Sequence, residues 1–177
     1  MLFRSHADLL TFIQERMRGY LRDLSYTSNE IESVLCMNPV RLAQVPRQLA
    51  AVRAFSDLPE AASLAAANKR VANILRQAEA KGESFINASA NEMSEKDERT
   101  LFEAIGATSK IATPLFESGD YTGYLKTFAA LKAPVDAFFE SVMVMAEDPA
   151  IRRNRLALLR DLRTEMNRVA DISKLAA

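Results

Sequence analysis

Four arginines crowd a short stretch near the end of the chain, where Arg152, Arg153, Arg155 and Arg160 follow Asp148 and Pro149. Guanidinium groups are planar and always charged, and their forked donors match phosphate and carboxylate oxygens. Asp148 is placed to cap a helix and Pro149 suits its first turn. On such a helix Ile151, Leu158, Leu162, Met166 and Val169 trace an apolar stripe. Arg155 falls on it, four residues after Ile151 and three before Leu158, so it is assigned to an internal ion pair. Arg153 and Arg160, seven apart, share an outer face, while Arg152 and Arg163 share another that flanks the stripe. Arg152, Arg153 and Arg160 are the freer hands for phosphate.

A second polar run, Asn68-Lys69-Arg70, interrupts the stripe Leu64, Val71, Leu75 and Ala78. Asn68 is either an internal hydrogen-bonding residue or part of a packed contact, and Lys69 and Arg70 flank it outward. A charged helix face that is merely solvated produces the same pattern. Spacing alone therefore stops at a helical domain with two basic elements.

Catalytic chemistry is poorly provided for. His6 is the only histidine and sits where chain ends fray, so a histidine-based nucleophilic triad lacks a well-placed base. Cys36 is the only cysteine; it has no neighbours of metal-ligand type and reads as a buried structural thiol at a helix end. The glycines at 19, 82, 106, 119 and 123 fit neither a phosphate loop nor a dinucleotide fingerprint. Asp136 and Glu140, at i, i+4 on one helix, are spaced for a shared ligand. They flank the stripe Val135, Phe138, Phe139, Val142 and Met145, where acids more often meet basic residues of a neighbouring helix. Asp136 is taken as structural, and no catalytic residue, metal site or cofactor is assigned.

The 177 residues suit one domain that needs no disulfide. A lone cysteine, no secretory leader pattern and no apolar run approaching about 18 residues point to a cytoplasmic protein without a membrane segment. The net charge is zero, but residues 101–150 hold three Lys against seven acids, and residues 151–177 hold seven Lys or Arg against three. Because charge is screened beyond about 8–10 Å, a local basic element can hold phosphate on a neutral molecule.

The elements that position these groups all read as helical. Leu9, Phe12, Ile13, Met17, Tyr20, Leu21 and Leu24 define a helix from about Ser5 to Leu24. Thr27 and Glu30 form a capping box for a short second helix, ended by Asn38-Pro39. A third runs from about Val40 to Phe55, bent or interrupted early by Pro46, and a long Ala-rich one from Pro59 to Lys81, stopped by Gly82. Residues 83–93 are polar and read as a surface connection, the favoured place for an insertion. Ser94 and Asp97 start a helix through Leu115 that Gly106 and Pro114 could kink. Helices follow over Tyr121–Leu131, Pro134–Met145 and Pro149–Ser173.

The literal strings LAAANKRVANIL, from Leu64 to Leu75, and PVDAFFESVMVMAEDPAIRRNRLALL, from Pro134 to Leu159, add something that periodicity does not. With FIQERMRGYLRDLSY, RQLAAVRAFSDLPEA, ESGDYTGYL and VADISKL, they resemble the C-terminal anticodon-binding region of the beta subunit of bacterial heterotetrameric glycyl-tRNA synthetases, over nearly the whole chain. The resemblance implies an all-α bundle of seven to eight helices, of the type shared with arginyl-tRNA synthetase anticodon domains. It further implies a non-catalytic fragment of a larger subunit that binds the anticodon region of glycine tRNA, with the alpha subunit and other beta domains as partners. ATP and Mg²⁺ belong to the parent complex. By motif position, tRNA contacts fall on Lys69, Arg70, Arg152, Arg153 and Arg160, with Asn68, Asn154 and Arg155 orienting or packing. Splayed anticodon bases are read by stacking and edge hydrogen bonds, which suits arginine planes and asparagine amides. Tyr121 and Tyr124 are either stacking platforms or partly buried at a helix start. The other reading is a helical protein-interaction module that docks within a synthetase or on another partner.

Overall fold

The computed structural model describes residues 6–176; within the first helix it leaves the side chains of residues 6–8 and 10 undescribed, and His6 with them. The helices are α1 (His6–Asp23), α2 (Ser28–Leu35), α3 (Val45–Ser56), α4 (Ala61–Ala80), α5 (Lys96–Ser118), α6 (Tyr121–Thr127), α7 (Lys132–Ser141) and α8 (Pro149–Met166). Short 3-10 turns occupy Leu42–Gln44, Ala90–Glu92, Phe128–Leu131 and Ile172–Leu175. No strand occurs among the described residues, so the fold class is all-α, as the periodicity predicts. No helix among them is long and apolar enough to cross a membrane.

Helix α5 is the hub, packed against α6, α7 and α8, while α3 lies on α6, and α4 lies on α8 and the C-terminal 3-10 turn. The core between them is fully excluded from water, with Phe55, Tyr124, Phe128 and Phe138 as its largest side chains. Burying each such residue contributes about 1.5–3 kcal/mol. Helix α1 is peripheral: it packs on α2, buries Leu21, and leaves Tyr20 62% exposed.

Most helix ends lie where local chemistry puts them. Thr27 Oγ1 accepts from the Glu30 N–H at 3.2 Å and Glu30 Oε2 accepts from the Thr27 N–H at 2.7 Å, completing the capping box. Asp148 Oδ1 accepts from the Ala150 and Ile151 amides at 2.7 and 3.3 Å, and Pro149 opens α8. Gly82 adopts φ +79° after α4, the left-handed stop that glycine takes without a Cβ clash.

Other boundaries differ from expectation. Pro46 does not bend a longer helix; α3 begins beside it, in the first turn where a missing N–H costs nothing. Helix α5 is capped by Glu95 with Glu98, not by Ser94 with Asp97, and it continues through both Gly106 and Pro114. Helix α7 starts at Lys132 and stops at Ser141, leaving Val142–Met145 outside it although Val142 and Val144 are buried. Helix α8 ends at Met166 instead of Ser173. There Asn167 Oδ1 accepts from the Ile172 N–H at 3.1 Å, and the Asp171 N–H donates to the Ser33 carbonyl at 2.7 Å. These bonds turn the chain back over α2 and α4, burying Val169, Ala170 and Ile172.

Candidate nucleic-acid interface

Helix α8 supplies most of the basic side chains, and its sequence separates them. Arg155, on the apolar stripe, is 6% exposed; its Nε donates to Glu98 Oε1, and its Nη1 donates to the Met143 carbonyl at 2.8 Å. Ser94 Oγ accepts from Nη2 at 3.2 Å. The internal ion pair expected of Arg155 is thus formed, and it clamps α8 to the start of α5.

Arg152 departs from its expected freedom. Its Nε donates to Glu83 at 2.7 Å and its Nη1 to the Ala146 carbonyl at 2.8 Å, with about a fifth of each partner's side chain exposed. The flanking position that makes it accessible also puts it under residues 83–93. That connection is not a loose surface loop on its inner side. Ser89 exchanges two hydrogen bonds with Asn154, and Asp161 Oδ2 accepts from the Ala88 N–H at 3.3 Å. Arg160 donates to the Phe85 carbonyl at 3.3 Å and to Asn87 Oδ1 at 3.1 Å. Met93 is 4% exposed. Arg152, Asn154 and Arg160 together strap the connection onto α8.

The two asparagines placed beside the tRNA contacts by motif position are buried. Asn68 is 1% exposed and accepts from Asn167 Nδ2 at 3.1 Å, and Asn154 is 5% exposed. Of the two readings of Asn68, the internal hydrogen bond is the one realised. A buried amide without a partner costs about 1–3 kcal/mol, so an asparagine on a core stripe is placed where a polar partner exists. Tyr124 is fully buried, its hydroxyl donating to the Glu165 carbonyl and its ring tilted on Phe116, so it offers no stacking platform. Burial pushes its phenol well above the usual range. Tyr121 is 8% exposed.

Lys69 and Arg160 open onto one groove of about 640 Å³ between α4, α8 and the C-terminal turn. Arg76, Arg163 and Lys174 line it as well, against the acids Glu79 and Asp171. The spacing of seven from Lys69 to Arg76 puts both on one face of α4, a signal present in the sequence. Lys174 carries no such signal, because only the turn after α8 brings it there. Arg163 lies 3.6 Å from Asp171, and Arg160 lies 3.0 Å from Asp161.

Arg70 and Arg153 do not line this groove. Arg70 sits 4.2 Å over the Phe139 ring of α7. Arg153 is exposed, donates to the Pro149 carbonyl at 3.3 Å, and lines a smaller cleft of about 370 Å³ with Asn87 and Glu92. Arg70 is turned away from Lys69 by about 100° around α4, and Arg153, on the face of Arg160, lies two turns nearer the start of α8.

The remaining chemistry-bearing residues form no reactive centre. Asp136 takes Lys132 Nζ at 2.6 Å and Ser63 Oγ at 3.3 Å; its cation comes from its own helix and not from a neighbour. Cys36 is exposed, not buried, because α2 ends there. Desolvation, with Asp171 nearby, nonetheless pushes its thiol up and away from the reactive thiolate. Among the described residues, no cluster of three or more His, Cys, Asp or Glu side chains could hold a metal.

The family profile described as DALR anticodon binding domain matches residues 64–173. The chain belongs to this family. The match begins on α4 and ends in the C-terminal turn, so this DALR domain has four of the groove's cations, Lys69, Arg76, Arg160 and Arg163, inside the matched stretch. Similar proteins include the glycine–tRNA ligase beta subunit of Thiobacillus denitrificans, 55% identical over 177 residues, which are 100% of this chain and 25% of that protein. That of Methylobacillus flagellatus is 54% identical over 166 residues, 94% of this chain and 23% of that protein. That of Delftia acidovorans is 50% identical over 169 residues, 96% and 24% respectively. The DALR domain and its preceding helices thus span about a quarter of the length of these relatives.

Proposed function

We propose that this chain binds the anticodon region of glycine tRNA as the non-catalytic C-terminal domain of a cytoplasmic glycyl-tRNA synthetase beta subunit. The observation that carries the reading is the groove between α4, α8 and the C-terminal turn, where Lys69, Arg76, Arg160, Arg163 and Lys174 meet. Cations gathered on a concave surface focus the potential toward an anionic strand and release its counterions on contact. Guanidinium planes can also stack on splayed bases. Glycylation with ATP and Mg²⁺ is assigned to the alpha subunit and the remaining beta domains, this chain's partners in the assembly. Arg153, near the groove but on its own cleft, is a peripheral phosphate contact. Arg152, Asn68 and Asn154 support the contact surface from behind, and Arg70 keeps its place over Phe139.

Docking within the larger subunit is favoured for one element only. Helix α1 leaves Tyr20 62% exposed and the turn after it leaves Leu24 48% exposed, an apolar surface suited to packing on another domain.

Titration of the chain with glycine tRNA tests the reading. Binding is expected to weaken steeply with salt, each phosphate contact adding about 0.7–0.9 to the slope of log K against log salt. Equal affinity for a tRNA with a changed anticodon overturns anticodon reading.

A further inference from the structure

A second basic groove, of about 690 Å³, shares no lining residue with the first. It lies where the α2–α3 connection, α3, the end of α5 and the segment after α8 come together, and it holds Arg41, Arg47 and Arg168 against a single acid, Glu117. Nothing in the spacing of these arginines unites them; they are brought together only by packing.

The charge state of this groove sets it apart. In the first groove, Arg160 and Arg163 already face Asp161 and Asp171. No ion pair among the described residues involves Arg41, Arg47 or Arg168. Two of the three are nevertheless held in place by neutral groups. Arg47 donates from Nη2 to the Gly119 carbonyl at 2.8 Å and lies 5.8 Å from the Tyr121 ring centre. Arg168 lies 4.1 Å over the Phe116 ring. Gly119, the left-handed cap of α5 at φ +76°, lies against the Arg47 guanidinium, and a Cβ there would come 3.1 Å from Arg47 Nη2. A cation fixed by aromatic faces and a carbonyl keeps its full charge and most of its donors for an incoming anion, with little left to order.

Gln48 lines the same groove, and its Nε2 donates to the Val169 carbonyl at 3.1 Å, tying the segment that carries Arg168 to α3 beside Arg47. Three guanidiniums against one carboxylate suit a ligand with several spaced anionic oxygens, which an RNA backbone supplies as successive phosphates. RNA is the occupant that agrees with the anticodon-binding family to which the chain belongs.

We infer that this groove is a second RNA contact, in which Arg41, Arg47 and Arg168 take backbone phosphates. The inference rests on the tRNA-binding reading above and extends the contact beyond the matched stretch, since Arg41 and Arg47 precede residue 64.

The test is fluorescence-detected titration of the 177-residue chain with a labelled glycine tRNA transcript at several salt concentrations. Arg41→Ala is expected to make the slope of log K against log salt shallower by about 1, and Arg41→Ala with Arg47→Ala by about 2. Arg22→Ala, on an exposed arginine of α1, serves as the control and is expected to leave the slope unchanged. Arg41 has no structural partner among the described contacts, so Arg41→Glu decides the matter if removal of Arg47 disturbs the fold. Unchanged slopes in folded second-groove variants, beside a shallower slope for Lys69→Ala with Arg160→Ala, overturn this groove and leave the first reading standing. An equal loss in the Arg22 control also overturns it. Absence of salt-sensitive binding by the unaltered chain overturns both.

Discussion

Asn154 on α8 holds both backbone groups of one residue, its Oδ1 accepting from the Ser89 N–H at 2.7 Å and its Nδ2 donating to the Ser89 carbonyl at 3.0 Å. This pairing places the amide in the architecture and not at a base edge. It also makes residues 83–93 part of the α8 surface, so the basic helix reaches its ligand beside a strap and not as a bare face.

Asn154→Ala is expected to release that strap. Amide hydrogen exchange should accelerate at Ser89 and Ala88 while α4 and α5 keep their protection, with a global loss of about 1–2 kcal/mol. Unchanged exchange at Ser89 would show that the strap is held without Asn154.

Arg152→Ala separates two roles for one arginine. Its bonds to Glu83 and the Ala146 carbonyl predict a stability loss of about 1 kcal/mol and a salt slope for tRNA binding close to that of the unaltered chain. Lys69→Ala, in the groove, is expected to do the reverse, lowering the slope by about 1 at little cost in stability. Denaturant unfolding and salt titration together rank the pair, and the opposite order refutes the division of roles.

Arg155→Ala removes one partner of a buried ion pair and strands Glu98, itself 1% exposed. The expected loss is about 3–5 kcal/mol, which lowers the melting temperature by on the order of 10 °C. A loss below about 1 kcal/mol in thermal melts would mean that water or another cation reaches Glu98.

Acid sensitivity should centre on α2. Burial works against the charge of Glu30, but hydrogen bonds from Arg53 and the Thr27 backbone outweigh it and hold this carboxyl below its ordinary value of 4.5. Arg18 does the same for Glu32. A depressed folded-state value favours the ionised form, so the stabilisation is present above about pH 4.5 and is lost as pH falls through the folded value. Arg53→Ala is expected to destabilise the chain most at neutral pH, and its deficit should shrink below pH 4.5. A deficit that is constant across pH 3–7 would assign the role of Arg53 to its stacking on Tyr26, 4.1 Å away, and not to charge.

The sequence by itself determined whatever depends on neighbours within a turn or two of helix. The all-α class, the Thr27–Glu30 box, the Asp148 cap and the Gly82 stop follow from periodicity and local hydrogen bonding, and those links act over about four residues. The burial of Arg155 belongs here too, because the stripe on which it falls is a local pattern, and a buried guanidinium requires an acid. Its literal strings also carried the family, which the profile match over residues 64–173 bears out. Tertiary structure alone decided which acid each arginine meets and which cations share a groove. Arg152 finds Glu83, Arg155 finds Glu98, and Asn68 finds Asn167 across separations of 69, 57 and 99 residues. Such pairings leave no spacing signal, because the distance between two groups far apart in the chain is set by how helices cross and where loops turn. Helix α8 stops at Met166 for the same reason: the bonds from Asn167 to Ile172 and from Asp171 to Ser33 form only once α2 and α4 are in place to receive the returning chain.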